Sequence, residues 1–156
     1  MEYSYQQISA ADLPLLKSLL AVFGEAFGEP DTYQGAVPTD AYLASLLGKP
    51  HFIAVAALRD GEVVGGLAAY ELEKFEQARS EIYIYDLAVR EADRRQGVAT
   101  GLIHALGRIA KQRGAHVMFV QADRGDEPAI RLYESLGTRE DVYHFDIAPS
   151  DPRSAR

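Results

Sequence analysis

The sequence predicts an α+β fold in which one mixed sheet, with a central antiparallel meander and a parallel βαβ crossover, is covered by helices. Three observations predict it. The run from Phe52 to Val89 is rich in Ile, Val, Ala and Tyr, and Asp60-Gly61 breaks it with a pair that tolerates the backbone angles of a tight hairpin turn. Apolar residues recur at helical spacing on both sides of that run. After the last strand pattern of that run, a helix pattern and another strand pattern follow in the order a parallel crossover needs.

Residues 3–8 read as a short strand. Ser9 and Asp12 have the spacing of a capping box, and Leu13, Leu16, Leu20, Phe23 and Phe27 continue it as a helical stripe that Gly28-Glu29-Pro30 stops. Residues 31–37 read as a loop, and a short helix from Thr39 or Asp40 to Leu47 is closed by Gly48 and Pro50. Residues 52–58 and 63–73 form the hairpin, 74–80 a polar loop, and 81–89 the strongest strand pattern of the chain. A helix begins near Gly97, buries Val98, Leu102, Ala105, Leu106 and Ile109, carries Arg108, Lys111 and Arg113 towards its C-terminus and ends at Gly114. Residues 117–120 form a strand, 128–136 a helix and 142–147 a last strand. The expected organisation is one domain over residues 1–149 and a tail at 150–156.

At 156 residues, 47% apolar and 25% charged, the composition is that of a globular domain with a real core. No apolar run approaches the ~20 residues of a membrane span, and Met1-Glu2-Tyr3-Ser4 does not start a secretory signal, so no membrane partner and a cytoplasmic location are expected. The formal charge of −7 disfavours nucleic acid and suits a cationic small molecule. With no cysteine, disulfides, zinc–thiolate sites and a cysteine nucleophile are excluded. His51, His104, His116 and His144 show no ligand spacing with acids, so no metal site is expected.

The chemistry concentrates in Tyr85-Asp86-Leu87-Ala88-Val89, a polar turn, and Arg94-Arg95-Gln96-Gly97-Val98-Ala99-Thr100. The first N–H groups of a helix lack internal partners and carry the positive end of its dipole. Gly97 and Ala99 would let a phosphate approach them, and Arg94 and Arg95 add cationic charge, which is the pattern of a pyrophosphate cradle. It is neither a GK[ST]-terminated phosphate loop nor a GxGxxG turn, and alone it also fits an ordinary helix start behind basic residues. A second piece follows in Asp126-Glu127-Pro128-Ala129-Ile130-Arg131-Leu132-Tyr133-Glu134-Ser135-Leu136-Gly137. Together the two pieces resemble the GNAT family of acetyl-CoA-dependent N-acetyltransferases.

The closer resemblance, over most of the chain, is to the GNAT-type aminoglycoside 3-N-acetyltransferases, the gentamicin acetyltransferases. The tyrosine-rich Ser80-Glu81-Ile82-Tyr83-Ile84-Tyr85-Asp86 and the segment Val120-Gln121-Ala122-Asp123 point to that branch, with Lys74-Phe75-Glu76-Gln77 and His144-Phe145-Asp146-Ile147 beside them. The resemblance implies that the strand at 81–89 splays from the one at 117–120, and that the pantetheine arm of acetyl-CoA pairs with the backbone of Leu87, Ala88 and Val89. It implies an oxyanion donor near Leu87, a pyrophosphate held by Arg95, Gln96, Gly97, Val98, Ala99 and Thr100 with Arg94 at the rim, and Tyr133 as the acid that protonates the departing thiolate. Tyr133 also belongs to a stripe of Ala129, Leu132, Tyr133 and Leu136, so helical spacing alone turns it inward. Asp126 stands where the family has asparagine; as a helix N-cap it accepts from backbone amides, but it cannot donate to the cofactor as an amide would.

An attacking amine must lose a proton, and Asp86, Glu81 and Asp123 are the candidate acceptors. In a regular strand Asp86 would share the apolar face of Ile82 and Ile84, a costly place for a charge unless it is paired or a bulge re-aims it, which makes Asp86 the first choice. Glu81 also reads as a solvated strand start, Asp123 as a turn residue, and Tyr83 and Tyr85 either as the lining of an acceptor pocket or as cross-strand packing. Glu76, Glu81, Asp123, Asp126, Glu127 and Asp146 are either an acidic rim for a polycation or a scattered solvated surface. Three functions follow: an aminoglycoside N-acetyltransferase that confers antibiotic resistance by direct transfer in a ternary complex, an acetyltransferase for a polyamine or peptide amine, and an acyl-CoA-binding sensor. The resemblance also implies a homodimer, built in part from C-terminal strands, of which this chain has room for little more than one.

Overall fold

The computed structural model describes residues 2–28 and 37–151, so most of the expected loop at 31–37, the Glu29-Pro30 helix stop and the end of the expected tail lie outside the described residues. The chain forms two compact units, Met1–Gln121 and Ala122–Arg156.

The first unit is a five-stranded sheet in the order β1-β2-β3-β4-β5, formed by β1 (Ser4–Gln7), β2 (Phe52–Arg59), β3 (Glu62–Lys74), β4 (Arg79–Val89) and β5 (Ala115–Val120). Pairing is antiparallel from β1 to β4 and parallel between β4 and β5. The fold class is therefore the expected α+β mixed sheet. Asp60 and Gly61 form the β2–β3 turn with φ of 54° and 78°. The β4–β5 crossover passes through α3 (Val98–Arg113), which ends at Gly114 as the sequence indicates. α1 (Leu13–Ala26) and α2 (Asp40–Leu47) precede the sheet, and the Thr39 hydroxyl caps α2 by accepting from the Tyr42 N–H at 3.1 Å.

β2 is buried on both faces, because alternate residues meet different helices. Phe52, Ala54 and Ala56 join Leu16, Leu19, Val22 and Phe23 of α1 and Leu43 of α2 in one cluster. Ile53 and Val55 face the other way and are fully buried, as are Leu67, Ile82, Leu102 and Leu106.

Two expectations are corrected. α1 begins at Leu13, not at Ser9: the Asp12 carboxylate accepts from the Ser9 N–H at 3.1 Å and the Ser9 hydroxyl at 2.8 Å. It thereby holds the turn before the helix and makes no side-chain bond to the helix amides. The strand expected at 142–147 does not form. The second unit holds one regular element among its described residues, α4 (Glu127–Leu136), and a strand needs a second strand to satisfy its backbone. Val142, Tyr143, Phe145 and Ile147 are left strongly exposed.

Candidate active site

β4 changes its surroundings half-way along. Up to Ile84 it pairs with β3 on one side and with β5 on the other, where the last pairs are Tyr83 with Phe119 and Ile84 with Val120. Beyond them β4 continues on β3 alone, with Leu87 opposite Leu67, Ala88 opposite Gly66 and Val89 opposite Gly65. Leu87, Ala88 and Val89 thus lie past the last β5 pair, in the arrangement an added extended chain uses to hydrogen-bond a strand. The amides of a pantetheine arm fit that arrangement.

The register slips at the same place. Ile84 faces Ala69 but Asp86 faces Ala68, so Tyr85 is an extra residue, a β-bulge. Side-chain alternation is reset there, and Asp86 leaves the face of Ile82 and Ile84, both buried. Its charge is felt instead by two tyrosines: burial first, then Asp86, raises the Tyr70 hydroxyl above its usual pKa. Tyr83 is raised by burial, then Tyr85, then Asp86.

The rings around Asp86 form a continuous aromatic surface across four strands. Phe52 meets Tyr70 at 5.5 Å between centroids, Tyr70 meets Tyr85 edge-on at 6.0 Å, and Tyr85 meets Tyr83 at 5.5 Å. Tyr83 stacks on Phe119 at 4.7 Å and 8°. The Tyr83 hydroxyl donates to Gln121 Oε1 at 2.9 Å. Tyr85 is 63% exposed, so this surface is open at its middle. Tyrosine faces attract ammonium groups, and a nearby carboxylate strengthens that preference.

At the end of β4 a 3-10 helix, Glu91–Asp93, leads into the Arg94–Gly97 turn. Arg95 and Gly97 both have left-handed backbones, with φ of 62° and 79°. A left-handed residue followed by a helical one turns successive N–H groups to one side, which makes an anion nest. The first intrahelical bond of α3 is Gly101 N–H to Gly97 O at 2.9 Å, so the amides of Val98, Ala99 and Thr100 precede the helix ladder. A Cβ on Gly97 would meet nothing within 4 Å, so there is space beside the nest. A pyrophosphate fits these amides. Arg95 and Gln96 are exposed beside them, whereas Arg94 is partly committed, its Nε donating to Val89 O at 3.0 Å.

In the second unit Asp126 caps α4, its carboxylate accepting from the Ala129 N–H at 3.3 Å. Tyr133 is half-buried on that helix rather than fully inside, since α4 has no fully buried residue. Burial, then the Asp126 charge, raises its hydroxyl above the usual tyrosine value. Asp123 is exposed and its carbonyl accepts from the Asp126 N–H at 3.0 Å. Asp146 pairs with His144 at 2.9 Å.

Of the predicted site residues in the first unit, the structure brings Tyr83, Tyr85 and Asp86 together around the bulge. Glu81, half-buried, lies two residues before Tyr83. Glu76 is an exposed partner of Lys74 at 3.4 Å. Sequence reasoning missed Tyr70 and the side-chain role of Gln121. Tyr70 was not legible from the hairpin, because extending the register from Asp60-Gly61 would set Ala69 opposite Phe52, and the shift between Ala57 and Leu58 brings Tyr70 there instead. It also missed Asp93, two of whose partners, Tyr3 and Arg59, are distant in sequence. Among the described residues no group of His, Asp and Glu side chains is arranged to hold a metal ion.

The model of the Acetyltransferase (GNAT) family matches residues 16–138. The chain is 56% identical to the crystal structure of an aminoglycoside acetyltransferase from an uncultured soil metagenomic sample, over 96% of this chain and 100% of that one, with a TM-score of 0.94. A second soil metagenomic aminoglycoside acetyltransferase, solved in complex with sisomicin, is 31% identical over 95% of this chain and 97% of its own, with a TM-score of 0.88. An L-methionine sulfoximine/L-methionine sulfone acetyltransferase of Pseudomonas aeruginosa is 28% identical over 88% of this chain and 80% of its own. The matched family model, together with these full-length likenesses, makes this chain a member of the acetyltransferase (GNAT) family, whose enzymes use acetyl-CoA.

Proposed function

We propose that this acetyltransferase moves acetyl from acetyl-CoA to an amine of an aminoglycoside, the 3-amino group in first place, by direct attack in a ternary complex. The observation that carries this reading is the tyrosine surface around Asp86, beside the stretch of β4 that lies past its last β5 pair. An aminoglycoside is a polycation whose ammonium groups suit tyrosine faces and a carboxylate. Two aminoglycoside acetyltransferases among its full-length likenesses support the same substrate class.

In this reading the chemistry divides among the following residues. Asp86, directly or through a water, accepts the proton that the ammonium must lose before attack. The backbone N–H near Leu87 donates to the oxyanion of the tetrahedral intermediate. Arg95 and the amides of residues 96–100 hold the pyrophosphate, with Arg94 at the rim, and the strand backbone from Leu87 to Val89 holds the pantetheine. Tyr133, kept protonated by its raised pKa, delivers a proton to the departing thiolate. With no cysteine in the chain, the commonest acyl-enzyme route is closed. Acetylation removes one positive charge and so weakens the drug's hold on RNA phosphates, which confers resistance. The reading places the enzyme in the cytoplasm, beside its acetyl-CoA supply. It also makes the enzyme a homodimer, in keeping with the exposed Val142, Tyr143, Phe145 and Ile147, and light scattering should return twice the chain mass.

A second acceptor class, amino acids of the methionine sulfoximine type, is favoured by the Pseudomonas relative. Such a substrate brings its own carboxylate towards Asp86, where like charges repel. Competition decides between them. With acetyl-CoA fixed, gentamicin or sisomicin should show a higher kcat/KM than L-methionine sulfoximine or spermidine, read from thiol release and product mass. Absence of transfer to any aminoglycoside would overturn the substrate assignment.

A further inference from the structure

Asp93 has no part in the chemistry set out above, yet it is fully buried and it ends the 3-10 helix from which the pyrophosphate loop departs. Its carboxylate is saturated. Oδ1 accepts from Arg59 Nε at 2.8 Å and from the Tyr3 hydroxyl at 3.0 Å. Oδ2 accepts from Arg90 Nη2 at 3.2 Å and from Arg90 Nε at 3.4 Å. Arg90 is held in turn by Glu62 at 2.7 Å and by its own N–H on Val64 O at 2.8 Å. Three places distant in sequence, Tyr3 before β1, Arg59 at the end of β2 and Arg90 after β4, thus converge on one carboxylate.

The next four residues, Arg94 to Gly97, carry the two left-handed backbones of the nest and precede the first helical bond. A non-glycine residue keeps such a backbone only where its surroundings hold it there. The far end of the loop is held by β1, which follows directly on Tyr3. Tyr5, two residues on, fills the space beside Gly101, so closely that a side chain at 101 would collide with its ring. Tyr3 and Tyr5 therefore grip the loop at its entry and at its exit into α3.

We propose that Asp93, with Tyr3, Arg59 and Arg90, is a positioning residue: the buried carboxylate fixes the entry of the Arg94–Gly97 turn so that its amides are preset for the pyrophosphate of acetyl-CoA. This rests on the cofactor reading above. A buried ion pair is a poor way to add stability, since packed apolar side chains of equal volume often do as well, but its bonds are directional and fix geometry. Preset donors bind an anion without first paying to order a loop.

The test uses the full chain and binding rather than turnover. CoA is titrated by calorimetry, and pantetheine, which lacks the pyrophosphate, by NMR. Asp93→Asn should weaken CoA about tenfold or more, and Tyr3→Phe, the milder change, a few-fold, with pantetheine affinity unaltered in both. The saturating kcat should stay within about twofold, because pyrophosphate contacts are the same in ground and transition states. Unchanged CoA affinity in both variants, or an equal loss for pantetheine, would overturn the positioning role and leave the cluster purely structural. Should Asp93→Asn fail to fold, Tyr3→Phe alone decides. Failure of the unsubstituted protein to bind CoA would instead sink the cofactor reading itself, and the positioning role with it.

Discussion

Asp86 sits one residue past the extra residue of β4, and that single insertion decides which face carries its charge. Without the bulge the carboxylate would lie among Ile82 and Ile84; with it, the carboxylate acts on Tyr70 and Tyr83. The sequence showed the conflict, an acid at an apolar parity, but not its resolution, because a bulge depends on which residue of the partner strand is skipped. As the proposed proton acceptor, Asp86→Asn should lower kcat/KM by about a hundredfold or more while calorimetric CoA affinity stays unchanged. Tyr133→Phe should lower kcat by about tenfold to a hundredfold with little change in the KM for acetyl-CoA. Burial, and after it the Asp126 charge, disfavours tyrosinate, so the raised pKa keeps Tyr133 protonated beyond the ordinary 10.0. The alkaline limb of kcat should therefore lie above that value and move down in Asp126→Asn.

Among the elements, the entry into α3 shows how two glycines of one helix start serve different ends. Gly97 has a φ of 79° and open space around a prospective Cβ, so Gly97→Ala carries only backbone strain, about 1 kcal/mol, or a few degrees in Tm. It should nevertheless weaken CoA, since a methyl group there occupies the cradle. Gly101 has ordinary helical φ but lies against the Tyr5 ring, so Gly101→Ala overpacks and should cost about 1–3 kcal/mol. Thermal melts with and without CoA check both: Gly101→Ala should melt below the unsubstituted protein in the absence of CoA, and CoA should raise the Tm of Gly97→Ala by less than that of the unsubstituted protein. Elements whose pattern repeats were legible in advance, since α3, the β2–β3 hairpin and α2 each have a period and a cap in the chain itself. The start of α1 was not, because Asp12 can bond backwards to Ser9 as readily as forwards into a helix. Nor was the fate of residues 142–147, since alternation marks a segment able to pair and says nothing of whether a strand is there to pair with.

For the whole molecule, the order of β2 to β5 followed from connection types, a short turn for antiparallel neighbours and a helix for the parallel pair, whereas the place of β1, which reaches β2 through α1 and α2, and the polar ties across the sheet were not readable. Asp93, Arg59, Arg90 and Tyr3 look like ordinary charged and aromatic residues in sequence, and only the assembled sheet brings them together. Those ties set the acid response of the fold. Bonds from Arg59, then Tyr3 and Arg90, hold the Asp93 carboxyl below its usual range against the opposing effect of burial. Burial pushes Glu71 up, but bonds from Ser80 and Arg113 and the Arg113 charge outweigh it and leave that carboxyl lowered too. A carboxylate whose folded-state pKa lies below its unfolded value contributes stability that is complete above the unfolded value and vanishes as pH falls through the folded one. The Tm should then be nearly level from neutrality down to the ordinary carboxylate range, about pH 4, and fall below it. Asp93→Asn removes one source of that dependence while leaving two arginines without their shared anion. Its Tm should be lower at neutral pH and should decline less on acidification, so that the two curves converge in acid. Parallel curves from pH 7 into acid would mean that the Asp93 carboxyl titrates alike in the folded and unfolded protein, its arginine partners holding it no more tightly than water does.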